Sequence, residues 1–263
     1  MFTARSNLFL YDYQNTTMST LLFRQLFEPI SCTYTYVLAC VSSGKGIIID
    51  PVIEEVARDA KLIKQLQIDP IYGANTHVHA DHVTGTGQLK HEFPSIKSVL
   101  SAHADAKADM FVKDGEILKF GKEELEVRTT PGHTNGCITF VSHKHGLVFT
   151  GDALLIRGCG RTDFQQGNSR TLYESIHKKI FTLPPHFSIF PGHDYMGFTQ
   201  SSVDEEKKFN PRLTENIDEF VKIMENLNLK MPKLLETSLL ANKLDGRCEL
   251  MDENLRNRVM NRI

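Results

Sequence analysis

Three imidazoles and one carboxylate, those of His77, His79, Asp81 and His82, fall within the run Thr76-His77-Val78-His79-Ala80-Asp81-His82. Neutral imidazole and carboxylate are good ligands for first-row metal ions, so a metal centre is the chemistry this spacing favours. Three later stretches each set one more such group directly after a glycine at the end of an apolar run: Pro131-Gly132-His133, Thr150-Gly151-Asp152 and Pro191-Gly192-His193. Glycine lets the backbone turn sharply, which lands the ligand at a strand tip. The candidate ligands are therefore His77, His79, Asp81, His82, His133, Asp152 and His193.

Two arrangements are open to these groups. In a strand-end loop, His77 and His79 can point the same way and reach one metal, completed by His133 and Asp152. Asp81 and His82 then reach a second metal, completed by His193, with the Asp152 carboxylate able to bridge. The alternative is a single Fe(II) on two histidines and one carboxylate, with open positions for substrate and O2 and the spare groups orienting the ligands. Imidazole and carboxylate suit zinc and iron alike, so ligand type leaves the metal open.

The elements that must hold these groups are short. β-rich runs recur at 33–40, 46–50, 71–75, 97–101, 125–130, 137–142, 146–151 and 186–191, mostly separated by turn residues. Between Asp50-Pro51 and Asp69-Pro70, Ile53, Val56, Ala57, Ala60, Ile63 and Leu66 keep helical spacing, which predicts an amphipathic helix on a sheet. Further helices are expected over 83–92, 171–181, 202–209 and 214–227. The last has an apolar stripe read as core packing, with a homodimer contact as the lesser reading. The simplest account is one α+β domain: an N-terminal segment over 1–22, a main body over 23–200 and a helical C-terminal extension over 201–263. Asp50, before Pro51, reads as a turn residue.

Composition narrows the classes. The chain has 263 residues, 41% hydrophobic and 24% charged, with 30 Lys and Arg against 32 Asp and Glu. No global basic field recruits nucleic acid or anionic lipid, and no apolar stretch approaches the ~20 residues of a membrane helix. The five cysteines are odd in number and unpatterned, which predicts free thiols in a reducing compartment. Cys137 reads as an inert buried thiol. Cys159, between two glycines, reads as a small space-filling residue, with oxidation or regulatory modification the alternative. Arg5 and Arg24, several Ser and Thr, and Asp12 as the one acid over residues 1–27 carry a faint mitochondrial targeting character, against a frayed terminus.

T-H-x-H-A-D-H, P-G-H, T-G-D and P-x-H-D, in this order, resemble the signature of the metallo-β-lactamase superfamily. The stretch from Gly151 through Arg161-Thr162-Asp163-Phe164-Gln165-Gln166-Gly167 looks like its persulfide dioxygenases. The resemblance runs from about Phe23 to Leu229. It implies a four-layer αββα sandwich with one Fe(II) on His77, His133 and Asp152, while His79, Asp81, His82 and His193 sit behind them and His193 takes part in catalysis. It implies glutathione persulfide and O2 as substrates, glutathione and sulfite as products, and the mitochondrial matrix as the setting. Arg161, Tyr195 and Arg212 match the positions expected to grip glutathione, whose two carboxylates suit guanidinium groups.

Two rivals stand beside this reading. One is a two-metal zinc hydrolase of glutathione thioesters, of the glyoxalase II type, whose C-terminal glutathione-binding signature is not recognisable here. The other is a non-catalytic partner-binding protein that has kept the fold, against which the filled ligand positions argue. From about Lys230 the pattern weakens, and the segment with Leu240-Ala241-Asn242 departs from the family and receives no role.

Overall fold

The β-rich runs pair into two six-stranded sheets in the computed structural model, which describes residues 19–262. The first sheet holds, in chain order, β1 (Leu21–Glu28), β2 (Thr33–Cys40), β3 (Lys45–Ile49), β4 (Asp69–Ala74), β5 (Lys97–Ser101) and β6 (Met110–Val112). It is antiparallel from β1 to β3 and parallel from β3 to β6. Antiparallel neighbours need only a turn, whereas a parallel return needs a crossover. Helices α1 (Val56–Gln65) and α2 (Thr86–Glu92) provide the crossovers into β4 and β5.

The second sheet runs β7 (Ile117–Phe120), β8 (Glu123–Thr129), β9 (Ile138–Ser142), β10 (Leu147–Gly151), β11 (Ser188–Pro191) and β12 (Ser201–Ser202). Only β10 and β11 are parallel, and α3 (Ser169–Ser175), continued by a π-helical turn over Ile176–Ile180, crosses between them. Next come α4 (Val203–Phe209) and α5 (Ile217–Glu225), whose starts are capped by the side chains of Ser202 and Asn216.

Three apolar layers hold the sandwich. Between the sheets, Tyr36, Leu38, Ile47 and Ile49 meet Phe120, Phe140, Phe149 and Phe190. On the outer face of the first sheet, Val37 and Ile48 pack with Ala60, Ile63 and Leu89 of α1 and α2. On that of the second, Val141, Val148 and Ile189 pack with Leu172, Ile176, Phe220 and Met224. The expected αββα architecture is the one found, and the Phe220 and Met224 stripe of α5 is spent inside the chain.

Several boundaries differ. β1 begins at Leu21, so the expected break between 22 and 23 falls inside a strand, and most of the expected targeting segment lies outside the described residues. β6 and β7 escaped the sequence reading because three and four residues are too few to establish a period, and β1 because its burial does not alternate. The helix expected from Val83 begins at Thr86, because Val83 and Thr84 are drawn onto Ile53 and Val52 instead. The body also extends past 200: β12, α4 and α5 are part of the sandwich. The extension proper is α6 (Leu235–Asn242) and α7 (Glu253–Met260), whose Ala241, Leu255 and Val259 pack with Met251 on Ile53 and Val83. No helix of the described residues is long and apolar enough to cross a membrane.

Candidate metal centre

Four loops meet at one edge of the sandwich, following β4 (His77 to His82), β8 (His133), β10 (Asp152) and β11 (His193). Gly151 makes the approach possible. It has φ +50°, and a Cβ there would lie 2.4 Å from Thr76 Oγ1, so only glycine lets the tip of β10 reach the tip of β4.

The donor atoms sort into two groups, each mutually within 4.8 Å: His77, His133 and Asp152, and beside them His79, Asp81, His82 and His193. Asp152 faces both, with Oδ2 3.7 Å from His133 Nε2 and Oδ1 3.6 Å from His193 Nε2. The pairing of His77 with His79 at one metal, expected from their spacing, is not what the fold produces. Their rings are 4.1 Å apart, but His79 turns its Nε2 to Asp50 at 3.1 Å and belongs with the second group.

Each imidazole is oriented by what its other nitrogen touches, which also fixes its tautomer. His133 Nδ1 donates to the Arg161 carbonyl at 2.6 Å and His193 Nδ1 to the Ser31 carbonyl at 3.2 Å, leaving both Nε2 atoms for the centre. Thr76 Oγ1 donates to Asp50 Oδ2 at 2.8 Å and so accepts from His77 Nδ1 at 3.0 Å. His82 Nδ1 meets Asp81 at 3.0 Å. Burial, reinforced by His79 and His133, pushes His77 well below the usual imidazole range, so it is neutral, as a ligand must be. Burial acts the same way on His193, but Asp152 and Asp81 outweigh it and raise that ring to about 9.

These residues fit a metal. His79 Nδ1, His82 Nε2 and Asp152 Oδ1 are buried with no hydrogen-bond partner among the described residues, a costly state for polar atoms unless an ion claims them.

The centre opens into a cleft of about 410 Å³ lined by His133, Asp152, His193, Arg161, Tyr195 and Arg212. Arg212 Nη1 donates to the Cys159 carbonyl at 3.1 Å. Tyr195 stands at the rim, 69% exposed and stacked on His193. Arg161 is differently engaged: it pairs bidentately with Asp163, donates to the carbonyls of Leu229 and Lys230, and lies over Phe164, so most of its donors are committed within the chain. Burial raises the thiol of Cys159 to about 11 and that of Cys137 to about 12, so both are protonated packing groups.

Asp50 is the residue the sequence reading missed. It is a buried anchor for Thr76 and His79 rather than a simple turn former. It ends an apolar run at a strand tip as Asp152 does, and that parallel was the available signal.

A two-sheet sandwich with histidine- and aspartate-bearing loops at one edge defines a protein of the metallo-β-lactamase type, and the sequence model of the "Metallo-beta-lactamase superfamily" matches residues 31–193. The chain belongs to this superfamily and, within it, to the family of the persulfide dioxygenases ETHE1. It is 54% identical over 226 residues to "Persulfide dioxygenase ETHE1, mitochondrial" of Homo sapiens, covering 86% of this chain and 89% of that one. The crystal structure of ETHE1 from Myxococcus xanthus superposes with a TM-score of 0.83 at 42% identity, over 86% of this chain and 99% of that one. The resemblance read from the motifs is thus borne out. A "Probable hydroxyacylglutathione hydrolase" of Schizosaccharomyces pombe is more distant, 33% identical over 65% of this chain and 66% of its own length.

Proposed function

We propose that this chain is an iron-dependent persulfide dioxygenase of the mitochondrial matrix, taking glutathione persulfide, O2 and water to glutathione and sulfite. What supports the reading above all is the mutual approach of His77, His133 and Asp152 at the cleft, two imidazoles and one carboxylate within 4.8 Å, in a chain so similar to ETHE1 proteins. These three residues would hold one Fe(II). Bound there, the ion supplies open coordination positions and the one-electron chemistry that O2 requires and side chains lack.

The chain's own groups do the rest. The guanidinium of Arg212 and the phenol of Tyr195 hold the glutathione arm, whose carboxylates match a charged donor along the cleft wall, while Arg161 shapes that wall through Asp163. His193, whose Nε2 lies 3.5 Å from Asp81 and 3.6 Å from Asp152, is the group placed to hold or move a proton at the centre. The overall change balances: the persulfide's outer sulfur gains two oxygens from O2 and one from water, the S–S bond breaks, and the glutathione sulfur leaves as the thiol.

The neighbouring group of His79, Asp81, His82 and His193 supports one second reading, a two-metal zinc thioester hydrolase. One experiment separates them. Anaerobically prepared, iron-loaded protein is given glutathione persulfide in an oxygen electrode, and S-lactoylglutathione in a parallel hydrolysis assay. Uptake with sulfite formation, absent in His133→Ala, is the expected result. Thioester cleavage by the zinc-loaded form without O2 uptake would replace the dioxygenase by the hydrolase.

A further inference from the structure

The loop that carries His77, His79, Asp81 and His82 has almost no regular backbone pairing of its own between Ala74 and Thr86, yet most of it is buried. Buried carbonyls need donors, and the loop obtains them from distant side chains. The terminal amide of Asn242, the last residue of α6, supplies two: Nδ2 donates to the carbonyl of His79 at 2.9 Å and to that of His82 at 2.8 Å. Its Oδ1 accepts from the Thr84 backbone N–H at 2.8 Å. The orientation of the amide is unambiguous, because carbonyls only accept and the Thr84 N–H only donates. Asn242 is 3% exposed.

A second observation fixes the same contact from the neighbouring turn. Gly246 has φ +64°, and a Cβ there would sit 2.4 Å from the Thr84 carbonyl, so the chain after α6 lies directly against the loop. The cluster of Ala241, Met251, Leu255 and Val259 on Ile53 and Val83 fastens α6 and α7 in that place.

We propose that Asn242 is a positioning residue: by holding the carbonyls of His79 and His82 it sets the loop backbone and hence the direction of the imidazoles at the metal centre. The C-terminal segment, which received no role from the sequence, is then the outer support of the site. An amide is suited to the task because it offers two donors and one acceptor on one rigid plane, matching two carbonyls and one N–H. Hydroxyls and carboxylates cannot meet that demand. The inference rests on the reading of the loop histidines as metal-site residues.

The test uses Co(II) binding to the apo-protein, followed by its visible absorption, with Tm recorded alongside. Asn242→Asp keeps size and an acceptor for Thr84 but removes both donors. Leu255→Ala loosens the same cluster and touches no loop hydrogen bond. Asn242→Asp is expected to weaken Co(II) binding on the order of 10–100-fold, as loss of supporting partners does in metal sites, and to alter the absorption band. Asn242→Ser, which keeps one donor, is the milder variant and is expected to fall between. Leu255→Ala is expected to lower Tm while leaving Co(II) affinity and spectrum unchanged.

Unchanged affinity and spectrum in both Asn242 variants would overturn the inference. So would a loss in Leu255→Ala as large as in Asn242→Asp, because the effect would then be one of stability alone. Failure of the unaltered protein to take up Co(II) would instead overturn the metal reading, and this inference with it.

Discussion

Asp50 and His79 meet carboxylate to imidazole at 3.1 Å with both side chains 1% exposed. The same carboxylate accepts from the Thr76 N–H at 2.7 Å, so one buried acid at the end of β3 holds both the start of the metal loop and one of its rings. Asp50→Ala leaves these donors unpaired in the interior and is expected to cost about 3 kcal/mol or more. Chemical denaturation checks this, and iron content should fall in parallel. Asp50→Asn, which keeps an acceptor for Thr76, is expected to cost less.

His77, His133 and Asp152 differ in what supports them, but their donor atoms lie within 4.8 Å of one another. Replacing any of the three by Ala is expected to remove iron from the purified protein and O2 uptake with it, while far-UV circular dichroism stays that of the native fold. An iron-binding variant with full activity would remove that residue from the ligand set. Chelation of the unaltered protein should lower Tm, because a ligand that binds only the folded state adds RT ln(1 + [L]/Kd) to its stability.

Arg212 and Arg161 both line the cleft and are expected to behave differently. Arg212 has donors left for a substrate carboxylate, so Arg212→Lys should raise KM for glutathione persulfide on the order of tenfold with little change in kcat. Arg161 is engaged by Asp163 and by the carbonyls of Leu229 and Lys230. Arg161→Ala should appear first as a lower Tm, from release of the 229–230 segment. Steady-state kinetics and thermal melts on the two variants separate these roles, and a larger KM effect at Arg161 would reverse them.

Burial pushes the Asp245 carboxyl from its ordinary 3.8 up to about 6, against the help of Ser98 and of Lys90, whose Nζ lies 3.6 Å away. Between these values the folded chain keeps a proton that the unfolded chain has released, so stability falls as pH rises through about 6. The contribution is fully present below about pH 4 and gone by pH 8, amounting to about 3 kcal/mol at most. Asn cannot ionise and tolerates the φ of +62° at this position. Asp245→Asn is therefore expected to be more stable than the unaltered protein at pH 8, with the gap closing near pH 4. Denaturant melts at the two pH values decide it, and a pH-independent gap would point to the backbone alone.

Much of the site was legible because metal ligation demands particular side chains. His77, His79, Asp81 and His82 announced themselves by type and crowding, and His133, Asp152 and His193 by the glycine before each. The α1 stripe and the central strands were legible for a similar reason, since a buried face imposes its period on the sequence. β1, β6 and β7 were not, because β6 and β7 are too short to show a period and the burial of β1 does not alternate.

The sequence by itself thus determined which groups can bind a metal, and that they sit at strand tips in a metallo-β-lactamase sandwich. Tertiary structure decided which of them share a centre. His77 and His79 are two residues apart, yet the pull of Asp50 on Nε2 assigns His79 to the group of Asp81, His82 and His193, while His133 and Asp152 come to His77 from the other sheet. The role of Asn242 was decided in the same way. A hydrogen bond to a backbone carbonyl selects no side chain at the receiving position, so nothing at His79 or His82 marks a partner some 160 residues away.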